Sequence, residues 1–473
     1  MVPHIQQSKE RILKILNETT KSSRKAIKRI SNTARRLAQK ENLGEKYTSE
    51  DEVGDLKPVV EDILSKRKAI LEVAGKVETP FFLLDTESLE KDITTFKQNF
   101  AKYLPACTSF YAIKCNDHPT ILEAVARHGF GMDASSGREL LLAQKFGAKR
   151  ILFSGPGKTQ KELQLAVASA ENVIINIDSW GELQKLGRML QEQKTTMRAG
   201  VRVFLPAQET WSKFGIPLTE LKKFWMSAKK YPNLKLCGIQ FHTSWNKDPS
   251  AYVRNIAEIG TYLKQNFTAV MRQQVSFIDF GGGFFPDRTE GFYPWTAHYP
   301  NSWPAGKIIK MADAHFGVET KFEDKYYITR SAPIEQFAKK IAAAFKEHIE
   351  ATIKCEYFTE PGRIIATRAQ HIVVRITDCK AKNRVIADGG VNMVGWEYGE
   401  NFYYPMVNLT HPADKEIPCT VFGPLCTPHD IWGYYVYAKK ISDGDLIVIP
   451  NQGAYKAVLA QNFIKPIPPL HVL

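Results

Sequence analysis

The amino-acid sequence predicts an α/β protein built on a (β/α)8 barrel and followed by a smaller all-β domain. Apolar strand patterns alternate with helix patterns over about 250 residues, which favours a closed barrel over an open sheet. Polar and glycine-rich residues follow the strands directly, in KCN, DASSG, SGPGK, HTS and GGGF. That is the end of a barrel at which sites are built. After EPG the alternation stops, and strand patterns separated by turns remain.

The predicted elements follow one another regularly from residue 80 onward. FFLLD is a buried strand pattern, and a helix through Phe96 and Phe100 leads to the strand TSFYAIKCN. The later barrel strands are FGMDASS, RILFSGPG, VIINID, AGVRVFL, LKLCGIQFHTS and VSFIDFGGGF, most of them separated by helix patterns. The strands predicted for the C-terminal domain are HIVVRITDC, RVIADGG, CTVFGPLC and DLIVIPNQG.

This order divides the chain into three parts. Residues 1–76 are predicted to form a basic helical extension, residues 77–365 the barrel, and residues 366–473 the β-domain, which includes a strand near residues 80–85. Residues 286–330 interrupt the barrel with many aromatic residues and prolines. A loop this long is usually functional or disordered, and its aromatic residues argue against disorder. We predict either a lid or wall over the site, or an insertion that packs between domains.

The net charge of +14 is concentrated near the N-terminus. Residues 21–40 carry eight Lys or Arg and no acidic residue, and Ile27, Ile30, Ala34 and Leu37 fall on one helical face. This amphipathic basic helix either packs on its own enzyme or a partner subunit, or contacts an acidic partner or an anionic surface. Because the rest of the chain is only mildly basic, the charge does not indicate nucleic-acid binding.

The composition predicts a cytoplasmic protein. No segment approaches the roughly 18 consecutive apolar residues of a membrane span, and charged residues from Lys9 to Arg11 interrupt the start before a secretory signal could form. The seven cysteines are scattered without a C-x-x-C pair, which suits reduced thiols better than disulfides or a metal site.

Four features at the predicted strand ends carry chemistry together. Lys114 ends the strand FYAIKCN, where we expect burial to depress its pKa and free its amine for Schiff-base formation. Gly281 to Gly283 let backbone N–H groups approach a phosphate. Glu360 and Arg363, in EPGR, place a carboxylate and a guanidinium at the same rim, and the imidazole of His242 could stack on a flat ring. A lysine, a stacking ring, a phosphate cradle, a carboxylate and an arginine are what pyridoxal 5'-phosphate (PLP) requires.

From about Thr79 to its end the sequence resembles the fold-type III PLP enzymes, the alanine racemase-like family that includes ornithine, diaminopimelate and arginine decarboxylases. The resemblance is carried, in the family's order, by YAIKCN, GFGMDASSGREL, FSGPGKTQKEL, WSKFGIP, GIQFHTSW, FIDFGGGF, EPGR, ADGG, GPLCTPHD and GAY. It implies an amino-acid decarboxylase that works as a homodimer with shared active sites.

The resemblance also implies roles for individual residues. Lys114 carries the cofactor and His242 stacks on its ring, while Glu360 pairs with the pyridine nitrogen. Such a carboxylate favours decarboxylation, because racemases of this fold pair that nitrogen with an arginine. Cys426, supplied across the dimer interface, reprotonates Cα. The predicted phosphate contacts are Ser244, Gly281, Gly282, Gly283, Arg363 and Tyr455, with Arg363 alternatively meeting a substrate carboxylate, and the predicted substrate contacts are Trp245, Asp388, Thr427 and Asp430.

The sequence departs from the family where the distal end of the substrate is bound. Thr427 stands where an acidic residue is usual, and VNMVGWEYGENFYYP lacks the arginine that grips the distal carboxylate in diaminopimelate decarboxylases. Since an unpaired distal charge is costly to bury, we expect a neutral, bulky or carrier-tethered substrate, as in specialised biosynthesis. An acidic carrier protein could then dock on the basic helix. The alternatives are a decarboxylase of diaminopimelate or a basic amino acid and a non-catalytic regulator.

Overall fold

The structure is a computed structural model that describes residues 56–205, 213–292, 326–395 and 402–473. The basic helix predicted at residues 21–40 lies outside these ranges, as do the insertion residues Tyr293, Trp295, Tyr299, Trp303 and Pro304. Two units divide the chain, and the larger one contains the barrel and the C-terminal domain.

Eight parallel strands close into the predicted barrel. The first strand of the chain, β1 (Phe81–Leu84), belongs to the C-terminal sheet. The barrel follows in the order β2–β3–β4–β5–β6–β8–β9–β12, and β12 pairs with β2 to close the ring. Its strands are β2 (Cys107–Ala112), β3 (Gly131–Ala134), β4 (Ile151–Phe153), β5 (Val173–Ile177), β6 (Met197–Phe204), β8 (Leu234–Gln240), β9 (Phe277–Asp279) and β12 (Glu356–Thr359), with β7 (Ile216–Pro217) added to β6. The (β/α)8 prediction is confirmed.

Helices connect the barrel strands, and three of them begin at a capping sequence directly after a strand. Ser136, Thr159 and Ser179 each accept the backbone N–H of a glutamate three residues later, which satisfies a free donor of the first turn. The helices are α1 (Lys57–Ser65), α2 (Arg67–Ala74), α3 (Thr86–Tyr103), α4 (Pro119–Arg127), α5 (Gly137–Lys145), α6 (Gln160–Ala168), α7 (Trp180–Glu192), α8 (Leu221–Ala228), α9 (Ser250–Asn266), α10 (Ala269–Gln273), α11 (Ile334–His348) and α12 (Arg363–Ala366).

The barrel encloses a small aromatic and aliphatic core. Phe110, Phe277 and Phe358 pack with aliphatic residues of β4 and β5. A Cβ at Gly238 would lie 1.9 Å from the Phe277 ring, so glycine on β8 makes the room that this ring fills. The helices bury their apolar faces in a larger cluster around the strands.

The C-terminal domain is an eight-stranded sheet organised by one long strand. This strand, β13 (Gln370–Ala381), pairs with β1, with β14 (Arg384–Ala387) and with β19 (Leu446–Ile449). The other members are β16 (Val407–Asn408), β17 (Glu416–Phe422), β18 (Ile431–Tyr437) and β20 (Leu470–Val472). Sequence analysis had not singled out β16, β18 or β20.

Helices α1 and α2 share a core with this sheet. Val60 and Ile70 are buried in one cluster with Phe81 and Val373. Residues 57–74 are therefore packed into the C-terminal domain, although they precede the barrel in sequence.

A three-stranded antiparallel sheet belongs to the smaller unit. It consists of β10 (Gly291–Phe292), β11 (Tyr327–Ile328) and β15 (Phe402–Tyr403). Within the described ranges, no helix is long and apolar enough to cross a membrane, and no group of three or more His, Cys, Asp or Glu could hold a metal ion.

Candidate active site

The carboxyl ends of the barrel strands surround a cavity of about 450 Å³. Residues that follow β2, β3, β4, β6, β8, β9 and β12 line it, together with two residues of the C-terminal domain. Of the residues predicted for the site, the cavity brings together Lys114, His242, Ser244, Trp245, Gly283, Glu360, Arg363 and Tyr455.

Lys114 lies in a single 3-10 turn immediately after β2. Its side chain is 36% exposed, and its amine is 2.9 Å from Oδ2 of the fully buried Asp133 on β3. Burial opposes the charge of Lys114, but the carboxylates of Asp133 and Glu360 outweigh it and raise its pKa. The expectation of a depressed pKa is wrong, because nothing in FYAIKCN shows that two carboxylates face this amine.

His242 and Glu360 form a buried pair across the ends of β8 and β12. Oε2 of Glu360 is 3.3 Å from Nδ1 of His242, and Oε1 accepts a 3.1 Å hydrogen bond from Nε2 of Gln240. Burial lowers the pKa of His242. Burial alone would raise the pKa of Glu360, but the contact with His242 and the charge of Lys114 lower it to about 2. The cavity thus contains a carboxylate that stays ionised across the neutral range.

The three glycines after β9 are required by close packing of strand ends. A Cβ at Gly282 would lie 2.0 Å from the carbonyl oxygen of Glu360, and one at Gly283 would lie 2.0 Å from that of Thr243. Gly283 has a φ of +91°, in the left-handed region that favours glycine. Of the three, Gly283 lines the cavity, whereas Gly281 and Gly282 pack against His242 and Glu360.

Arg363 is surrounded by aromatic rings. Its guanidinium carbon lies 4.6 Å from the ring centre of Trp245, 4.9 Å from that of Tyr455 and 5.5 Å from that of Phe285. Trp245 and Tyr455 both have a φ of +60°, which is rare for non-glycine residues and recurs at binding sites. Ser244 donates or accepts a 3.2 Å hydrogen bond with Nε2 of His242.

Besides Gly281 and Gly282, four predicted residues lie outside the cavity lining. Cys426 is exposed on the turn between β17 and β18, and Thr427 follows it. Asp430 is buried, and its carboxylate accepts backbone N–H groups of Leu425 and Val391. Asp388 accepts hydrogen bonds from the hydroxyl of Thr79 and the backbone N–H of Arg375. In the single chain, both aspartates are bound to protein groups.

Sequence analysis missed several residues that complete the cavity. Ser154, in SGPGK, lines the cavity, and Asp133, in DASSG, contacts the lining residue Lys114 without lining the cavity itself. Both motifs had been noted only as polar ends of strands. Arg202 on β6 and Phe214 after it also line the cavity, with the guanidinium carbon 4.2 Å from the ring centre. The sequence feature that could have identified Arg202 is its charge inside the apolar strand AGVRVFL, because a buried arginine is rare unless it is paired.

The residues present fit a bound PLP. The cavity offers a lysine amine, an ionised carboxylate, an imidazole and a guanidinium, and three glycines line it without side chains, namely Gly155, Gly283 and Gly362.

A (β/α)8 barrel with this set of groups at its carboxyl end defines the class of PLP enzymes of this fold. The chain belongs to the pyridoxal-dependent decarboxylase family, because residues 87–367, more than half of it, match the model of that family's pyridoxal-binding domain. The predictions of family, fold class, enzyme class and cofactor are therefore confirmed: the protein is a PLP-dependent decarboxylase.

Known relatives are similar over most of the chain. Diaminopimelate decarboxylase of Aquifex aeolicus is 25% identical over 411 residues, which cover 84% of this chain and 86% of that protein. A Niallia circulans decarboxylase of L-glutamyl on the BtrI acyl-carrier protein is 25% identical over 417 residues, covering 82% and 86%. The crystal structure of Helicobacter pylori diaminopimelate decarboxylase with L-lysine has the same fold, with a TM-score of 0.67 at 22% identity, covering 85% of this chain and 94% of that one.

Proposed function

We propose that this decarboxylase binds PLP through Lys114, orients it with His242 and Glu360, and reprotonates Cα of its amino-acid substrate with Cys426. The observation that carries the proposal is that the amine of Lys114 and the ionised carboxylate of Glu360 face one cavity at the carboxyl ends of the barrel strands. When bound, PLP supplies an electron sink for the electron pair that remains at Cα after CO2 leaves.

The protein residues would divide this work among them. Glu360, held by Gln240 and next to His242, keeps a negative charge where the pyridine nitrogen would lie, so that nitrogen stays protonated. His242 offers a largely uncharged ring for stacking, because burial lowers its pKa. Arg363 and the Gly283 turn supply a cation and close backbone approach for the phosphate.

The absorption spectrum of the purified protein with PLP tests the role of Lys114. A Schiff-base band that is present in the wild type and lost in Lys114→Ala supports the proposal. Lys145→Ala is the matched control, since Lys145 lies outside this cavity, on α5. Persistence of the band in Lys114→Ala would show that another group binds the cofactor.

The proposed donor Cys426 requires a second subunit. Its thiol is exposed and lies outside the cavity lining of its own chain, which supports a homodimer in which each subunit completes the other's site. Neither Lys114→Ala nor Cys426→Ala should form amine efficiently. Mixing the two proteins after mild dissociation should restore about a quarter of the wild-type rate of amine formation, because half of the dimers then have one intact site. No recovery in mixed dimers would count against a shared site.

The class of substrate is the most specific part of the proposal. Thr427 stands where an acidic residue is usual, the segment after ADGG lacks an arginine, and one relative acts on a carrier-bound glutamyl group. Trp245 is 46% exposed and lines the cavity, so its ring can contact a neutral or bulky distal part. We therefore propose a distally neutral or carrier-tethered amino acid in specialised biosynthesis.

Decarboxylation of diaminopimelate or of a basic amino acid is the second candidate, favoured by the similarity to diaminopimelate decarboxylases. CO2 release should be measured with meso-diaminopimelate, L-lysine, L-ornithine, L-arginine, L-glutamate, L-leucine and an L-glutamyl carrier protein. Fast turnover of diaminopimelate would reject the first candidate. The first candidate would be supported if the enzyme decarboxylates the carrier-bound substrate and free acidic carrier protein inhibits that reaction. Such inhibition would indicate docking of the carrier protein on the basic helix.

The proposed cytoplasmic location is consistent with seven free cysteines. Labelling of thiols in intact cells and in lysates, followed by mass spectrometry, would test it. Oxidised cysteines in the protein from intact cells would contradict it.

A further inference from the structure

Asp430 closes the turn that carries Cys426. Its carboxylate oxygens each accept a backbone N–H, Oδ2 from Leu425 at 2.6 Å and Oδ1 from Val391 at 2.8 Å. Its own carbonyl oxygen accepts the N–H of Gly423 at 2.9 Å. The residue therefore bonds to the start of the turn, to the residue before Cys426 and to a second turn that follows ADGG.

Two glycines create the space for this carboxylate. A Cβ at Gly423 would lie 2.3 Å from both carboxylate oxygens of Asp430, and a Cβ at Gly390 would lie 2.8 Å and 2.9 Å from them. Asp430 is only 2% exposed, so its oxygens depend on protein donors. The ADGG and GPLC sequences thus supply the two glycines between which the carboxylate fits.

A further hydrogen bond ties β18, the strand that follows the Cys426 turn, to the ADGG segment. Nε1 of the buried Trp432 donates to the carbonyl oxygen of Gly389 at 2.7 Å. The conformation of the Cys426 turn is therefore set from one side, by Asp430 and Trp432, while Cys426 itself remains exposed at the tip.

We propose that Asp430 is a positioning residue that holds Cys426 where its thiol can protonate Cα, and that it does not contact the substrate. This inference rests on the proposed role of Cys426 as proton donor. In that step the bond from Cα to the carboxylate breaks, the electron pair stays at Cα, and the S–H proton forms the new Cα–H bond. The thiolate then regains a proton from water. Such a transfer requires hydrogen-bond reach, so a displaced turn slows it while CO2 loss continues.

Asp430→Asn tests the inference, because asparagine keeps the shape but can present only one acceptor oxygen to the two N–H donors. The probe is the amino acid that releases CO2 fastest in the panel above, and CO2 and amine are measured together. We expect amine formation to fall at least about tenfold, KM to stay within about twofold, and CO2 to exceed amine. The missing amine should be recovered as the aldehyde with an equal amount of pyridoxamine phosphate, the products that would form if the cofactor took the proton in place of Cα and one water then released the aldehyde. Asp414→Asn, on the exposed surface of the same domain, should behave like wild type.

Three comparisons make the outcome decisive. An equal loss of CO2 and amine in Asp430→Asn would show that Asp430 only supports the fold. A higher KM with unchanged kcat would show that Asp430 contacts the substrate. Either result overturns the inference. If this variant does not fold, Trp432→Phe should show the same excess of CO2, and a one-to-one ratio there overturns it. Cys426→Ser separates the two proposals. Wild-type kinetics in Cys426→Ser would reject Cys426 as the proton donor. If Cys426→Ser releases excess CO2 but Asp430→Asn does not, only the role of Asp430 is rejected.

Discussion

The amine of Lys114, in the turn that follows β2, lies 2.9 Å from the carboxylate of Asp133 on the adjacent barrel strand β3. This contact, together with Glu360, raises the pKa of Lys114 although burial opposes the charge of its amine. The free enzyme thus holds the lysine as a cation. It must lose a proton before it can attack a carbonyl carbon.

Asp133→Asn should therefore make cofactor incorporation easier at lower pH. Removing the carboxylate removes a group that favours the charged amine, so the pKa of Lys114 falls and more neutral amine is present at a given pH. After PLP is added to the apoenzyme, the Schiff-base band should rise at least about tenfold faster in Asp133→Asn than in the wild type at each pH from about 6 to 10, because a pKa lower by one unit gives about ten times as much neutral amine. Asp117→Asn is the matched control, because Asp117 pairs with Arg138 outside the cavity. Equal rates in the wild type and Asp133→Asn would show that Asp133 does not set this pKa.

Glu360→Gln should retain PLP but lose most activity. Glutamine can keep the hydrogen bond from Gln240, but it cannot hold the pyridine nitrogen protonated. We expect kcat to fall about a hundredfold, the scale seen when one electrostatic contact to developing charge is lost. Glu356→Gln on the same strand, whose side chain is 45% exposed, should leave kcat unchanged. Full activity in Glu360→Gln would mean that another group protonates the cofactor ring.

Gly283→Ala should weaken PLP binding, and it should lower the free energy of unfolding by more than the left-handed backbone conformation alone would. Gly283 and Gly444 have similar φ angles of +91° and +85°, but a Cβ would meet a carbonyl oxygen at 2.0 Å only at Gly283, since Gly444 faces open space. The left-handed backbone alone costs about 1–2 kcal/mol of stability in either variant. We expect Gly444→Ala to show that loss alone in urea unfolding, and Gly283→Ala to lose more stability and to raise the Kd for PLP. Equal behaviour of the two variants would rule out a steric role for Gly283.

Lys158→Met should strongly destabilise the barrel. Lys158 and Glu182 are almost fully buried, with the amine 2.7 Å from the carboxylate and 2.8 Å from the carbonyl oxygen of Asn176. Removing one charge leaves the other buried, which typically costs about 3–5 kcal/mol of unfolding free energy. Lys102→Met, which breaks the exposed pair with Glu335, should leave the unfolding free energy almost unchanged.

Urea unfolding measures both losses, and the double variant Lys158→Met/Glu182→Leu provides the decisive comparison. Since it removes both charges, it should recover much of the stability lost by Lys158→Met. No recovery would show that the hydrogen bond of Lys158 to Asn176, and not the ion pair, stabilises this region.

Local patterns identified most of the elements that build the site. The apolar strands with polar residues at their carboxyl ends located Lys114, His242 and Glu360 at one end of the barrel, because parallel strands all end on the same side. The S/T-x-x-E sequences after β3, β4 and β5 begin helices as capping sequences do. Short strands such as β16 escaped detection because two residues carry no measurable periodicity.

The sequence by itself determined the fold class, the family and the cofactor, since ordered motifs and alternating periods record local structure directly. Only the tertiary structure decided how these residues act on one another. It showed that two carboxylates raise the pKa of Lys114, that Asp388 and Asp430 bind protein groups, and that Cys426 lies outside the cavity of its own chain. The physical reason is that electrostatic and hydrogen-bond contacts act over a few ångströms between strands far apart in sequence, and no single segment contains both partners.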